Sequence, residues 1–138
     1  MANNRFIVDS SVWIDFFNKK SSKNVEKIID LMYSHAVKDS IIVLPVILQE
    51  ILQGIRDDKQ YDLVNQIIHG FEFIEFDPYA YAVKAADLFR ELQKKGITIR
   101  KANDCLIAAF CIDLDIFLIH NDRDFDNIAK HTSLKIYK

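Results

Sequence analysis

Short apolar runs with strand character alternate along this chain with longer segments of helical period. That alternation constrains the fold more than any other feature. Arg5 to Val8 and Ile41 to Leu44 read as strands, as do Ile116 to Ile119 and Leu134 to Tyr137. Phe71 to Phe76 alternates with Glu72 and Glu75, as a half-exposed strand does. Between these runs lie helical segments. Ser10 or Ser11 can cap a helix through Val12, Trp13, Phe16 and Phe17. Asn24 to Val37 places Val25, Ile28, Ile29, Met32 and Ala36 on one face. Pro45 opens a helix with Ile47, Leu48, Ile51, Leu52 and Ile55 at helical spacing. Tyr61 to Ile68 forms another, ended near Gly70. Pro78 opens a long helix closed by Lys94, Lys95 and Gly96. Ala102 to Leu114 is an apolar helix, and Asp124 to Lys130 a short one. Strands separated by helices imply an α/β fold, a mostly parallel sheet covered by helices on both faces.

The 138 residues suit one domain, taken as 1–138, with no repeat, low-complexity tract or splitting linker. Half of the residues are hydrophobic, with ten Phe and only three Gly, so there is much to bury and little linker. No apolar run reaches the length of a membrane span, and the short run before Asp9 does not resemble a secretory signal. A cytoplasmic protein is expected. The net charge of −2 argues against a protein that coats nucleic acid, but not against an enzyme acting on it. Basic residues cluster locally, at Lys19, Lys20, Lys23 and Lys27, and at Lys94, Lys95, Arg100 and Lys101. Solvated helix ends explain either group equally well. Cys105 and Cys111 have neither zinc-knuckle nor redox spacing and read as small buried hydrophobes.

In a parallel α/β sheet the ligand site lies beyond the carboxyl ends of the strands. Four acids fall there. Asp9 follows Phe6-Ile7-Val8, and Asp122 follows Phe117-Leu118-Ile119 after His120-Asn121. Glu50 lies early in the helix after the second strand, and Asp104 in the first turn of the helix at Ala102. Taken singly, Asp9, Asp104, Asp122 and Asp124 also fit caps and first-turn positions. Glu50 borders the apolar face of Ile47 and Ile51, and Gly54, one turn on, leaves room beside it. Gathered carboxylates repel one another unless a cation joins them. Mg²⁺ or Mn²⁺ prefers such oxygen ligands, activates a water and stabilises a leaving oxygen in phosphodiester hydrolysis. His35, His69, His120 and His131 have no metal-ligand spacing, and His120 suits strand-end packing better than catalysis. No Gly-x-Ser-x-Gly elbow or phosphate-cradling glycine loop is present.

Four segments together resemble one family. Ile7-Val8-Asp9-Ser10-Ser11-Val12-Trp13-Ile14-Asp15 is similar to the opening motif of PIN-domain proteins, and specifically of VapC-type toxins of bacterial toxin–antitoxin pairs. Glu50-Ile51-Leu52-Gln53-Gly54, Asn103-Asp104-Cys105-Leu106-Ile107-Ala108-Ala109 and His120-Asn121-Asp122-Arg123-Asp124-Phe125 follow in family order. The resemblance implies a compact α/β/α sandwich and a Mg²⁺- or Mn²⁺-dependent endoribonuclease cutting transfer or ribosomal RNA loops. It also implies a homodimer neutralised by a VapB-like antitoxin. Asp9 and Asp104 would be the principal metal ligands. Glu50 would bind a second metal or hold a water, and Asp122 would complete the set, with Asp124 an alternative in the same motif. Ser11 would hydrogen-bond Asp9 or a phosphate, and Asn121 would support the site beside it. Arg100, Lys101 and Arg123 would contact RNA phosphates.

Two other classes fit the sequence less well. A non-cleaving regulatory or binding module of the same fold would tend to lose one of the acids, and all are present. A haloacid-dehalogenase-like phosphatase needs Asp-x-Asp after its first strand, but position 11 is Ser. A phospho-receiver needs an acidic pocket near Phe76-Asp77-Pro78, where none is evident.

Overall fold

The computed structural model describes residues 4–33 and 41–138. His35 and the expected helical stretch through Ala36 and Val37 lie outside them. Among the described residues are seven helices and four strands. The chain forms two compact units, residues 1–74 with 119–121, and residues 75–118 with 122–138.

The first unit begins with β1 (Phe6–Val8), whose three side chains are all buried. Burial on both faces explains why this strand is a continuous apolar run rather than an alternating one. It pairs in parallel with β2 (Ile41–Ile42), Phe6 beside Ile41 and Ile7 beside Ile42. Helix α1 (Ser10–Phe17) follows at once. Its N-cap is Asp9, not Ser10 or Ser11, and no side chain caps it. Trp13 is fully buried, stacked on Phe17 with ring centroids 5.9 Å apart and edge-on to Phe71 at 5.2 Å. Helix α2 (Lys23–Tyr33) is preceded by Ser22, whose hydroxyl accepts the Val25 N–H at 3.1 Å. Its buried stripe is Val25, Ile28 and Leu31, so Ile29 and Met32 fall on the margin of the face. Helix α3 (Pro45–Gln53) buries Ile47 and Ile51. Asp57 caps α4 (Asp58–Ile68) by accepting the Gln60 N–H at 2.9 Å.

The expected strand at Phe71 to Phe76 does not form. Only Glu72 pairs, as an isolated parallel bridge to Ile42. Its N–H reaches Ile41 O at 3.3 Å, and its carbonyl accepts the Val43 N–H at 2.9 Å. Strand β2 then gives way to the N-cap of α3 at Leu44, so little ladder is left for a longer partner.

In the second unit, Asp77 caps α5 (Pro78–Lys94) through the Tyr79 and Ala80 N–H groups at 2.9 and 3.2 Å. Gly96, at φ +81°, takes the left-handed conformation just past the helix. Helix α6 (Ala102–Leu114) buries Asp104, Cys105, Ile107, Ala108, Ala109, Phe110 and Cys111. So wide a buried surface is why its apolar residues show no single stripe. Phe76, Tyr81 and Phe110 close a ring triangle with centroids 5.4, 5.2 and 4.9 Å apart. Strand β3 (Phe117–Ile119) pairs in parallel with β4 (Lys135–Ile136), Phe117 beside Lys135 and Leu118 beside Ile136. Helix α7 (Arg123–His131) connects them.

Ile119, the last residue of β3, belongs to the first unit, where its carbonyl accepts the Asp9 N–H at 2.9 Å. The strand order is β2-β1-β3-β4 in one sheet. This is the parallel α/β architecture expected from the alternation of strand and helix. No helix among the described residues is long and apolar enough to cross a membrane.

Candidate active site

Each acid singled out in the sequence lies where a strand has just ended or a helix has just begun, Glu50 excepted. In the second unit, Asp104 sits in the first turn of α6. Asp122 is the N-cap of α7, and Asp124 lies in its first turn. Two helix starts therefore present their partly positive ends to three carboxylates. One carboxylate oxygen from each lies within 4.8 Å of the other two. Asp104 and Asp124 are buried, at 5% and 6% exposure, and Asp122 is half-buried. Among the described residues this is the one group of three such side chains with potential ligand atoms this close.

Local hydrogen bonding fixes the α7 carboxylates. Asp122 Oδ1 accepts the Asp124 N–H at 3.0 Å, the ordinary N-cap bond. Arg100 reaches both acids, with Nε 3.2 Å from Asp124 Oδ2 and a terminal nitrogen 3.4 Å from Asp122 Oδ1. Lys101 Nζ stands 3.7 Å from Asp122 Oδ2. The hydrogen bond and charge of Asp124, then the charge of Asp122, raise the Arg100 pKa above its ordinary value. Arg100 and Lys101, expected as phosphate contacts, thus lie against the acids themselves. Arg123, the first residue of α7, is exposed.

Cys105 adjoins Asp104. Burial first, then the charges of Asp104 and Asp124, push its thiol up to about 11. At neutral pH it stays protonated and offers no thiolate to a soft metal. Cys111 is likewise buried, and neither cysteine is in a disulfide, in keeping with small buried hydrophobes. The donor set is all oxygen and anionic, which suits a hard cation such as Mg²⁺ or Mn²⁺ rather than a thiolate-seeking one.

In the first unit, Asp9 follows β1 at 7% exposure, and its Oδ2 accepts the Ser11 hydroxyl at 2.9 Å. Ser11 therefore orients Asp9 rather than capping α1. The Asp9 backbone bond to Ile119 sets it beside the end of β3, three residues before Asp122 in sequence. Glu50 is half-buried on α3, next to the buried Ile51. A Cβ added at Gly54 would meet the Glu50 and Ile51 carbonyls at an ordinary 3.7 Å. The space there belongs to a cavity of about 60 Å³ lined by residues including Ile14, Phe17 and Ile55.

Asn24 was not foreseen. Its amide donates to His120 O at 2.7 Å and to Asn121 Oδ1 at 2.6 Å. The Asn121 amide in turn donates to Asp15 Oδ2 at 3.3 Å. These bonds pin the His120-Asn121 turn that leads into Asp122. Nearly a hundred residues separate Asn24 from that turn, so no local pattern marks it. His120 is buried at 8% exposure, in keeping with a packing role.

The PIN domain family model matches residues 6–131. A VapC ribonuclease of Mycobacterium bovis is 31% identical over 129 residues, covering 94% of this chain and 95% of its own length. Ribonuclease VapC11 of Mycobacterium tuberculosis matches equally, at 31% over the same coverage. Among solved structures, VapBC2 from Rickettsia felis, bound to a DNA fragment from its promoter, superposes with a TM-score of 0.73. That match has 20% identity and covers 96% of both chains, a likeness of fold. With a family model spanning nearly all of it and two such relatives matched end to end, the chain belongs to the PIN-domain family.

Proposed function

We propose that this chain is a divalent-metal-dependent endoribonuclease, the toxin of a VapBC-type toxin–antitoxin pair. The observation that carries the reading is the cluster of buried Asp104 and Asp124 with half-buried Asp122 at two helix starts. Its likeness to VapC ribonucleases over 94% of the chain supplies the substrate class, RNA. Residues 1–138 are read as a single catalytic domain working in the cytoplasm as a homodimer. A VapB-like antitoxin is its proposed neutralising partner, and transfer or ribosomal RNA loops are its proposed targets.

Asp104 and Asp122 are read as ligands for Mg²⁺ or Mn²⁺, with Asp124 beside them. Asp9 is assigned the matching ligand role and Glu50 the role of holding a water or a second ion. Such an ion supplies charge neutralisation and an activated water for phosphodiester hydrolysis. The chain's own residues supply the rest. The α7 cap bond holds Asp122 in one rotamer, and the Ser11 hydroxyl does the same for Asp9. The Asn24–Asn121–Asp15 bonds hold the turn before Asp122. Lys101 and the exposed Arg123 are the proposed contacts for RNA phosphate, with Arg100 when it leaves the acids.

Induced expression in a bacterial host tests this reading. Growth should stop, and sequencing of RNA 5′ ends should show new ends at a small set of sites. Asp9→Ala and Asp104→Ala should abolish both effects while still accumulating as folded protein. If both variants arrest growth and generate the same ends as the parent, the reading is wrong.

A further inference from the structure

The placement of Arg100 carries a consequence for how the acid cluster exists before any ion arrives. Three carboxylates within 4.8 Å of one another repel strongly unless a positive charge joins them. Arg100 provides one, bridging Asp122 at 3.4 Å and Asp124 at 3.2 Å. The two sides of this bridge are unequal. Asp122 and Asp124 side chains are only 15% and 8% exposed, whereas Arg100 is 61% exposed. The shielded partners need a counter-charge. The exposed guanidinium gives up little by returning to water, because exposed ion pairs are weak. Lys101, at 3.7 Å and 64% exposed, is a looser second cation.

A divalent ion held by these acids would compete for the oxygens that Arg100 contacts, and would repel the guanidinium besides. We infer that Arg100 is the resident counter-cation of the site, holding Asp122 and Asp124 together without metal and displaced from them when a divalent ion binds. The inference rests on the proposed metal site. It gives Arg100 a role distinct from a fixed phosphate contact, since the guanidinium is released from the carboxylates, and free to turn to a phosphate, only after the handover.

The test uses the full chain with Mn²⁺ alone, followed by isothermal titration and by thermal melts in chelator and in saturating Mn²⁺. The proteins are the parent, Arg100→Gln, Arg100→Lys and Asp104→Asn. A unit charge just outside a divalent ion's ligands in a water-like dielectric changes affinity on the order of three- to tenfold, allowing for salt. Arg100→Gln should therefore bind Mn²⁺ more tightly by that factor, while Arg100→Lys stays near the parent. In chelator Arg100→Gln should melt below the parent, and saturating Mn²⁺ should close the gap. Equal or weaker Mn²⁺ binding by Arg100→Gln, or a gap that persists in Mn²⁺, would make Arg100 a fixed strut and overturn the handover alone. A parent that binds Mn²⁺ no better than Asp104→Asn would overturn the metal site and the handover with it.

Discussion

Asp104→Asn should change the sign of its effect on stability when metal is added. The substitution keeps the side chain's shape and removes one charge from a position only 5% exposed. Asp122 and Asp124 present oxygens within 4.8 Å of an Asp104 oxygen. At that distance and an effective dielectric of about 20, each repulsion is worth about 3.5 kcal/mol. Arg100 and Lys101, bound to the same neighbours, offset most of it and leave on the order of 1–2 kcal/mol of net relief. In chelator the variant should therefore melt about 3–6 °C above the parent, at about 3 °C per kcal/mol for a chain of this size. With Mn²⁺ at about 100 times its dissociation constant, the parent gains about 2.7 kcal/mol that a variant lacking a ligand does not. The order of melting should then reverse. Paired thermal melts with and without Mn²⁺ measure it. A variant on the same side of the parent in both conditions would refute the reasoning.

Two further predictions concern the second unit. Phe110→Ala removes one corner of the Phe76–Tyr81–Phe110 triangle, and with it two of the three ring contacts, at a position 1% exposed. It should cost about 3–5 kcal/mol in urea unfolding, and a loss under about 1 kcal/mol would mean the triangle is not a packed core. Tyr81 donates its phenol proton to Asp113, and burial, then that bond and charge, push the phenol up to about 12. Because the folded value lies above the unfolded one, the stabilisation is complete below about pH 10 and fades as pH rises through 12. By pH 11 the parent should have lost about 1 kcal/mol from this group. Tyr81→Phe should lack that slope, and parallel curves for parent and variant between pH 9 and 11 would contradict the assignment.

Where the chain's own chemistry decides a structure locally, the sequence was a good guide. The α6 limits, Ala102 and Leu114, were readable because an apolar run ends where the left-handed Asp115, at φ 56°, closes the helix. Pro45 and Pro78 marked helix starts because a missing N–H costs nothing there. The Phe71 to Phe76 strand failed because alternation describes only what a segment would do if a neighbouring strand were long enough, and β2 is not. The capping option for Ser10 or Ser11 failed for a related reason, while the expected Ser11 bond to Asp9 formed. The Ser11 hydroxyl can bond a backbone N–H or the Asp9 carboxylate, and only the folded backbone decides.

The site divides the same way. Strand-end and helix-start positions marked Asp9, Glu50, Asp104 and Asp122, and the family motif added Asp124 as an alternative. The choice between Asp122 and Asp124 takes another form in the structure. Both join the cluster, Asp122 through a cap bond and Asp124 through deeper burial. The Arg100 bridge and the Asn24 bonds were not legible, because each depends on tertiary approach across 22 to 97 residues of sequence.

The central claim is that these carboxylates form a metal-dependent ribonuclease site. Its most direct measurement is cleavage of total bacterial RNA by the purified chain, with Mg²⁺ or Mn²⁺ and with chelator, for the parent, Asp9→Asn and Asp104→Asn. Cleavage at discrete sites is expected only with the divalent ion, with a loss on the order of a thousandfold or more in each folded variant. Cleavage that survives chelation, or that proceeds at the parental rate in both variants, would contradict the claim.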